Sequence, residues 1–184
     1  MLEDEIKKIK TRAPKKITKQ RLKNIALYYL ERFESSVDNL RQVLMRRVND
    51  YAYSNPDFDK SEALAWIEEI LSDCERYGYI SDARFAEMKI KDYLAAGKSA
   101  RYIKLKLLQK GIEESLIENL LQEQEYNPEE LALNLAKKKK IGPFRKNDEE
   151  RREYRQKDLA TLVRAGFDYD VAQRVLEKEV FDTF

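Results

Sequence analysis

Two stretches of the sequence repeat one helical pattern at an offset of 55 residues, and this repeat constrains the fold more than any other feature. In the first stretch Gly111 follows the apolar pair Leu107-Leu108, and in the second Gly166 follows Leu162-Val163. Both stretches then continue with apolar residues at matching steps, which are Leu116, Leu120 and Leu121 in one and Val171, Val175 and Leu176 in the other. A helical repeat longer than about 50 residues favours stacked helical units over one compact enzyme fold. We expect each glycine to end a helix in a left-handed turn.

A third copy of the pattern precedes these two. Val43-Leu44 aligns with Leu107-Leu108 at an offset of 64, and Ile70-Leu71 aligns with Leu120-Leu121 at an offset of 50. The difference, 64 minus 50, indicates an insertion of about fourteen residues around Asn55-Pro56. Arg46-Arg47-Val48 stands where the other copies have their glycine, so we expect the second helix of this copy to run on or end differently.

The apolar periodicity is helical, and no segment shows the sustained alternation of a β-strand. The sequence therefore predicts an all-α protein of nine helices, in three tandem three-helix repeats that form an elongated, curved array of right-handed helices. The predicted division is a flexible basic arm over 1–17 and repeats over 18–78, 79–126 and 127–184. The last helix is expected to run from about Asp168 to Val180.

Helix starts are marked by residues that cap well. The candidate N-caps are Thr18, Ser35 or Ser36, Ser81 or Asp82, Ser99, Asn127 and Asn147. Asp59 and Glu62 have the spacing of a capping box and predict the start of the third helix.

The residue types that carry most enzymatic chemistry are scarce. The 184 residues include no histidine and one cysteine, so the commonest general base and the usual zinc sites are absent. No glycine-rich phosphate loop of the familiar kinds is present. We predict no enzyme, no catalytic residues, no metal and no cofactor. Cys74 falls in an apolar register and is expected to be a buried thiol. A lone cysteine, with no membrane span and no secretory signal, favours the cytoplasm.

Charge is strongly segregated although the formal net charge is only +2. Nine Lys/Arg and no carboxylate lie between Lys7 and Lys23, and five Lys/Arg and no carboxylate between Lys98 and Lys110. The segment from Ile112 to Ala136 contains seven Glu and no Lys/Arg. The following segment, from Lys137 to Lys157, contains ten Lys/Arg and four acids. Such blocks can be solvated helix faces, or they can attract an anionic partner or one bound to nucleic acid.

The basic residues of the second and third repeats form the candidate binding surface. On the predicted helix after Ser99, Lys98, Arg101 and Lys104 or Lys106 share an outward sector. Arg145 is expected to project from a loop that Pro143 fixes. The candidate surface for a protein partner or DNA phosphates comprises Lys98, Arg101, Tyr102, Lys104, Lys106, Lys110, Lys138, Lys139, Lys140, Arg145, Arg151, Arg152 and Arg155.

Several tyrosines could stack on nucleobases. Most lie on or beside apolar stripes, which favours core packing; they are Tyr28, Tyr29, Tyr77, Tyr79 and Tyr93. Tyr102, between Arg101 and Lys104, is the exception.

Several segments of the sequence resemble the RecX family of regulatory proteins. Gly78-Tyr79-Ile80-Ser81-Asp82-Ala83-Arg84-Phe85-Ala86 resembles a junction of that family, and Gly97-Lys98-Ser99 with Leu107–Ile112 resembles its central repeat. Ala26–Phe33 with Ser36 and Leu40–Leu44 resembles its first repeat. Ile141–Arg145 and Arg164–Ala172 resemble its third repeat, most closely in the alphaproteobacterial branch. The likeness spans about residues 20–178, and it is the order and spacing of the pieces that make it specific.

The resemblance implies tandem three-helix repeats and a cytoplasmic, monomeric regulator in homologous recombination, DNA repair and the SOS response. It implies binding to the RecA recombinase and the RecA–ssDNA filament, inhibition of strand exchange, ATP hydrolysis and coprotease activity, and contacts to the DNA phosphate backbone. The competing interpretation is a helix-turn-helix type module that acts on DNA without RecA.

Overall fold

The computed structural model describes residues 15–178, and within that range every regular element is helical. The helices are α1 (Lys19–Leu30), α2 (Val37–Ser54), α3 (Ser61–Arg76), α4 (Asp82–Ala95), α5 (Ala100–Leu108), α6 (Glu114–Gln122), α7 (Pro128–Lys139), α8 (Asp148–Arg164) and α9 (Tyr169–Glu177). A short 3₁₀ turn, Gly142–Phe144, separates α7 from α8. The all-α prediction is confirmed. The first fourteen residues of the predicted arm and the predicted end of the last helix at Val180 lie outside the described residues.

The chain divides into two compact units, one that ends at Ile80 and one that begins at Ser81. The first unit holds α1–α3 around a core that includes Leu22, Leu44 and Ile67. Ile17, the last residue of the predicted arm, is buried in this core. The second unit holds two separate cores, one built by α4–α6 and one by α7–α9. The three-repeat boundaries and the curved arrangement stay predictions.

Most predicted N-caps form as expected, because a side-chain oxygen at the cap accepts a free backbone N–H of the first turn. The hydroxyl of Ser36 accepts from Asn39 N–H at 3.1 Å, and that of Ser81 accepts from Arg84 N–H at 3.3 Å. Thr18, Ser99, Asn127 and Asn147 also cap their helices.

The predicted capping box of the third helix is wrong. The helix begins at Ser61 after Lys60, which makes no side-chain cap. Asp59 instead bonds both the backbone N–H and the hydroxyl of Ser61, two residues on. Hydrogen bonding from Ser61 lowers the pKa of the Asp59 carboxyl.

The first copy of the repeat departs from the other two where its glycine is missing. Helix α2 has 18 residues, whereas its counterpart α5 has nine. The expectation that this helix runs on is confirmed, so part of the insertion is an extension of α2 itself.

Gly166 lies where the α7–α9 group meets the α4–α6 group. Its φ is +91°, and a Cβ at this position would lie 2.5 Å from Ser99 Oγ and 3.3 Å from Tyr102 N. The Ser99 hydroxyl donates to Ala165 O at 2.7 Å and also accepts from Tyr102 N–H. Gly111 has φ +75°, so both repeat glycines adopt the expected left-handed conformation. At Gly166 the small residue also permits the close approach of two helix groups.

Candidate partner-binding surface

Helix α5 carries an exposed face that mixes cations with leucines. Arg101, Leu105 and Leu108 are spaced at four and three residues and so lie on one side of the helix. Leu105 is 54% exposed and Leu108 is 40% exposed. The opposite side, with Ile103 and Leu107, is buried in the α4–α6 core. We call Arg101, Leu105 and Leu108 the α5 face.

Lys104, beside this face, is engaged by two acids of the neighbouring helix. Its Nζ lies 2.5 Å from both Glu114 Oε1 and Glu118 Oε1 on α6. The hydrogen bonds that the Lys104 ammonium donates to these carboxylates raise its pKa. The pairing holds α5 against α6 and partly neutralises the positive charge that Lys104 would present to a partner.

Tyr102 sits on the adjoining side of α5, partly buried. Its ring meets that of Tyr93 edge-on, with centroids 5.7 Å apart. Lys98 Nζ lies 5.2 Å and Lys106 Nζ 5.7 Å from the Tyr102 centroid. Two of the predicted surface lysines therefore gather around one aromatic ring.

A cleft separates the α4–α6 group from the α7–α9 group, and its charged lining is wholly basic. Its volume is about 500 Å³, and its four cations come from three different places, Lys98 before α5, Lys138 and Lys139 on α7, and Arg164 at the end of α8. The rest of its lining includes Tyr102, Asn134 and apolar side chains. We call it the basic cleft. The sequence did not single out Arg164 or Asn134, although Arg164 lies two residues before Gly166 at the same junction.

Arg145 does not project from its loop, so that expectation is wrong. Its Nε donates to Asp158 Oδ2 and its Nη2 to Asp158 Oδ1, both at 2.7 Å. The Gly142 N–H donates to Asp158 Oδ2 at 2.9 Å. The Asp158 side chain is 1% exposed and that of Arg145 is 16% exposed. Hydrogen bonding to Asp158 raises the pKa of the Arg145 guanidinium. The pair fastens the 142–145 turn onto α8.

Two of the three predicted arginines of α8 are engaged with α9. Arg151 Nη2 donates to the carbonyls of Leu176 and Lys178, which the end of a helix leaves unpaired. Arg155 Nη2 donates to Glu177 Oε1 at 2.9 Å. Arg152 is exposed at the rim of a pocket of about 330 Å³ that these arginines share. These contacts give Arg151 and Arg155 a part in holding α9 against α8.

The lysine run after α7 ends in an unusual backbone conformation. Lys140 has φ 54° and ψ 47°, and is the one non-glycine residue in positive φ among residues 15–178. L-residues are strained there by about 1–2 kcal/mol.

We expect Lys140→Gly to raise the free energy of unfolding by about 0.5–1 kcal/mol, because glycine removes most of this strain at some entropic cost. The check is the urea midpoint followed by circular dichroism. Lys139→Gly is the control: it changes the last residue of α7, where glycine has no strain to remove, and should lower stability by up to about 1 kcal/mol. Equal losses in the two variants would contradict the expectation.

The tyrosines divide differently from the prediction. Tyr29 and Tyr93 pack against cores as expected. Tyr28, Tyr77 and Tyr79 are each more than half exposed, so core packing is the wrong prediction for these three. Arginine guanidinium groups lie over two of them, Arg32 over Tyr28 and Arg76 over Tyr77.

The described residues contain neither a cluster of metal ligands nor an exposed thiol. No group of three or more potential metal ligands occurs within 15–178. Cys74 is buried as predicted, and burial raises the pKa of its thiol, which disfavours the nucleophilic thiolate. In the same range no helix is both long and apolar enough to cross a membrane.

The helices that carry the α5 face and one side of the basic cleft match a known protein family. Residues 81–121, which cover α4, α5 and all but the last residue of α6, match the family model described as the second three-helix domain of RecX. A regulatory protein RecX from Myxococcus xanthus is 36% identical over 166 residues, covering 89% of this chain and 88% of the relative. A RecX from Vibrio vulnificus is 29% identical over 157 residues, covering 85% of this chain and 92% of the relative.

Two solved structures share the fold. The crystal structure of RecX from Lactobacillus salivarius matches with a TM-score of 0.63 at 22% identity, covering 86% of this chain and 94% of that one. A crystal structure of regulatory protein RecX matches with a TM-score of 0.65 at 24% identity, covering 87% and 72%.

Proposed function

Because the chain belongs to the RecX family of regulatory proteins, we propose that it is a cytoplasmic, monomeric regulator that binds RecA and the RecA–ssDNA filament. In this role it inhibits the recombinase, ATPase and coprotease activities of RecA. The proposal assigns it no catalytic step of its own.

The composition of the α5 face is the observation that favours a protein partner over DNA bases. A helix that reads base edges presents polar side chains that donate and accept hydrogen bonds. The α5 face instead presents Leu105 and Leu108 together with Arg101. Protein interfaces have an apolar core and are enriched in arginine, which this combination of side chains fits. We therefore assign the α5 face to RecA, and the cations around it to acidic groups or DNA phosphates of the filament.

The double variant Leu105→Asp/Leu108→Asp is expected to weaken inhibition strongly. The two carboxylates would be buried against RecA without partners, so the concentration for half-inhibition of the RecA–ssDNA ATPase should rise at least about tenfold. The measurement uses amounts of this protein well below one per RecA. Both positions are exposed, so the free energy of unfolding should fall by no more than about 1–2 kcal/mol, mostly through lower helix propensity and the helix dipole.

Tyr53→Asp is the matched control, because Tyr53 is an almost fully exposed apolar residue in α2. It should inhibit like the wild type. Unchanged inhibition by the leucine variant would remove the α5 face from the interface. Tight, sequence-selective binding to duplex DNA without RecA, unaffected by the leucine variant, would favour the DNA-module alternative.

A further inference from the structure

The basic cleft has the volume of a small-ligand site. Its volume of about 500 Å³ falls within the usual range for such pockets, about 300–1,000 Å³. One side is the turn from α4 to α5, the other is part of α7, and Arg164 and Phe167 line the cleft from the last residue of α8 and the turn after it. A concave cleft of this kind fits a compact ligand better than a rod-like duplex.

The charge of the cleft is not neutralised by the protein. Among residues 15–178, none of the four cations forms a salt bridge with a carboxylate, whereas Lys104 close by on α5 forms two. Arg164 lines the cleft and its Nε donates to the Ala160 carbonyl of its own helix at 3.0 Å. Four exposed cations that line one cleft without an acid repel one another, so a bound polyanion would stabilise the arrangement.

The start of α5 adds to this field. The helix has nine residues and no acidic residue in its first turn, whereas α4 and α7 carry acids there. Its N-cap, Ser99, is part of the cleft lining. Helix N-termini favour anions through free N–H groups and the helix dipole. Lys98 stands directly before this terminus.

The remaining lining suits a planar, polar ring. Tyr102 presents an aromatic surface beside Lys98, and Asn134 offers an amide that can both donate and accept. Leu131, Leu135 and Phe167 supply apolar contact. Aromatic stacking with a base contributes about 1–3 kcal/mol in single-strand binding proteins.

We propose that the basic cleft binds a nucleoside polyphosphate, with Lys98, Lys138, Lys139 and Arg164 holding the phosphates and Tyr102 contacting the base. Nucleic acid strands carry the same phosphates, so an oligothymidylate is the competing ligand in the test. The proposal goes beyond the RecA-directed function and does not depend on it, because the ligand binds the protein alone.

The test measures binding of ATP, AMP, inorganic tripolyphosphate and an oligothymidylate to the isolated protein by calorimetry at about 0.1 M salt. We expect ATP to bind with a Kd of about 100 μM or lower, and AMP at least tenfold more weakly. Lys138→Ala/Lys139→Ala should weaken ATP at least tenfold. The control Lys137→Ala/Lys146→Ala removes the same charge from the same unit outside the cleft lining, and should change the Kd less than twofold.

Tyr102→Leu separates the base from the phosphates. It keeps an apolar contact for Tyr93, and we expect it to weaken ATP at least fivefold while leaving tripolyphosphate within about twofold. Failure of ATP to bind would overturn the proposal, as would equal loss in the test and control lysine pairs. Oligothymidylate that displaces ATP and binds more tightly would assign the cleft to nucleic acid instead. Because RecA is absent from this experiment, its outcome leaves the α5 face assignment untouched.

Discussion

Asp158→Ala is expected to destabilise the α7–α9 group by about 3–5 kcal/mol, which is the cost of removing one partner from a buried ion pair. Asp158 accepts two hydrogen bonds from Arg145 and one from the Gly142 N–H. Without the carboxylate, the Arg145 guanidinium keeps its charge in a site that is largely closed to water, and the buried Gly142 N–H loses its acceptor. Urea unfolding followed by circular dichroism measures the loss, and amide hydrogen exchange locates it in α7–α9.

Two further variants separate the buried pair from ordinary surface charge. The double variant Arg145→Ala/Asp158→Ala should be less destabilised than the two single losses added together, because neither charge is then left unpaired. Glu177→Ala breaks the exposed pair with Arg155 in the same group and should cost less than about 1 kcal/mol. A loss in Asp158→Ala no larger than that in Glu177→Ala would contradict the assigned role.

Gly166→Ala is expected to lower the free energy of unfolding by about 2–3 kcal/mol. The positive φ costs an L-residue about 1–2 kcal/mol, and the new methyl group would press on Ser99 Oγ. Displacing that hydroxyl loosens its bond to Ala165 and its cap on α5, at about 1 kcal/mol for a hydrogen bond. The measurement is again the urea transition, with hydrogen exchange at the start of α5 and the end of α8.

Gly97 provides the matched control. Its φ is +70°, but no heavy atom lies within 4 Å of a Cβ built there. Gly97→Ala should therefore carry the backbone strain alone. In a Ser99→Ala background the cost of Gly166→Ala should fall, since the hydroxyl in its path is gone. Identical costs for the two glycine variants would show that the close approach at Gly166 contributes nothing.

Local features of the fold were predictable from the sequence. Ser36, Ser81 and Asn127 cap helices because their side chains satisfy backbone N–H groups two or three residues away, which is information held within one turn. Gly111 and Gly166 mark helix ends for a similar reason. The capping box predicted at Asp59 also fails for a local reason, because the Asp59 carboxylate accepts a hydrogen bond from the nearer Ser61 N–H.

The sequence predicted which residues could belong to the candidate site, but not which of them are paired or buried. Arg145 turns inward because Asp158, thirteen residues away, is buried one helix later, and spacing along the chain does not reveal that partner. Lys104 is paired for a comparable reason, through acids of α6. Tyr28, Tyr77 and Tyr79 lie at the margins of apolar stripes, and periodicity alone does not say how far the neighbouring helix covers such a stripe.

The Ser99 hydroxyl has a consequence for communication between binding events. Its bond to Ala165 joins the α4–α6 and α7–α9 groups, whose cores are otherwise separate, beside the basic cleft. A ligand held by both Lys98 and Lys138 would contact both groups at once, because Lys98 precedes α5 and Lys138 lies on α7. The angle between these groups sets the direction of the α5 face relative to α7–α9. If occupancy of the cleft changes the affinity of the α5 face for its partner, reciprocity requires the partner to change the affinity of the cleft for its ligand by the same factor.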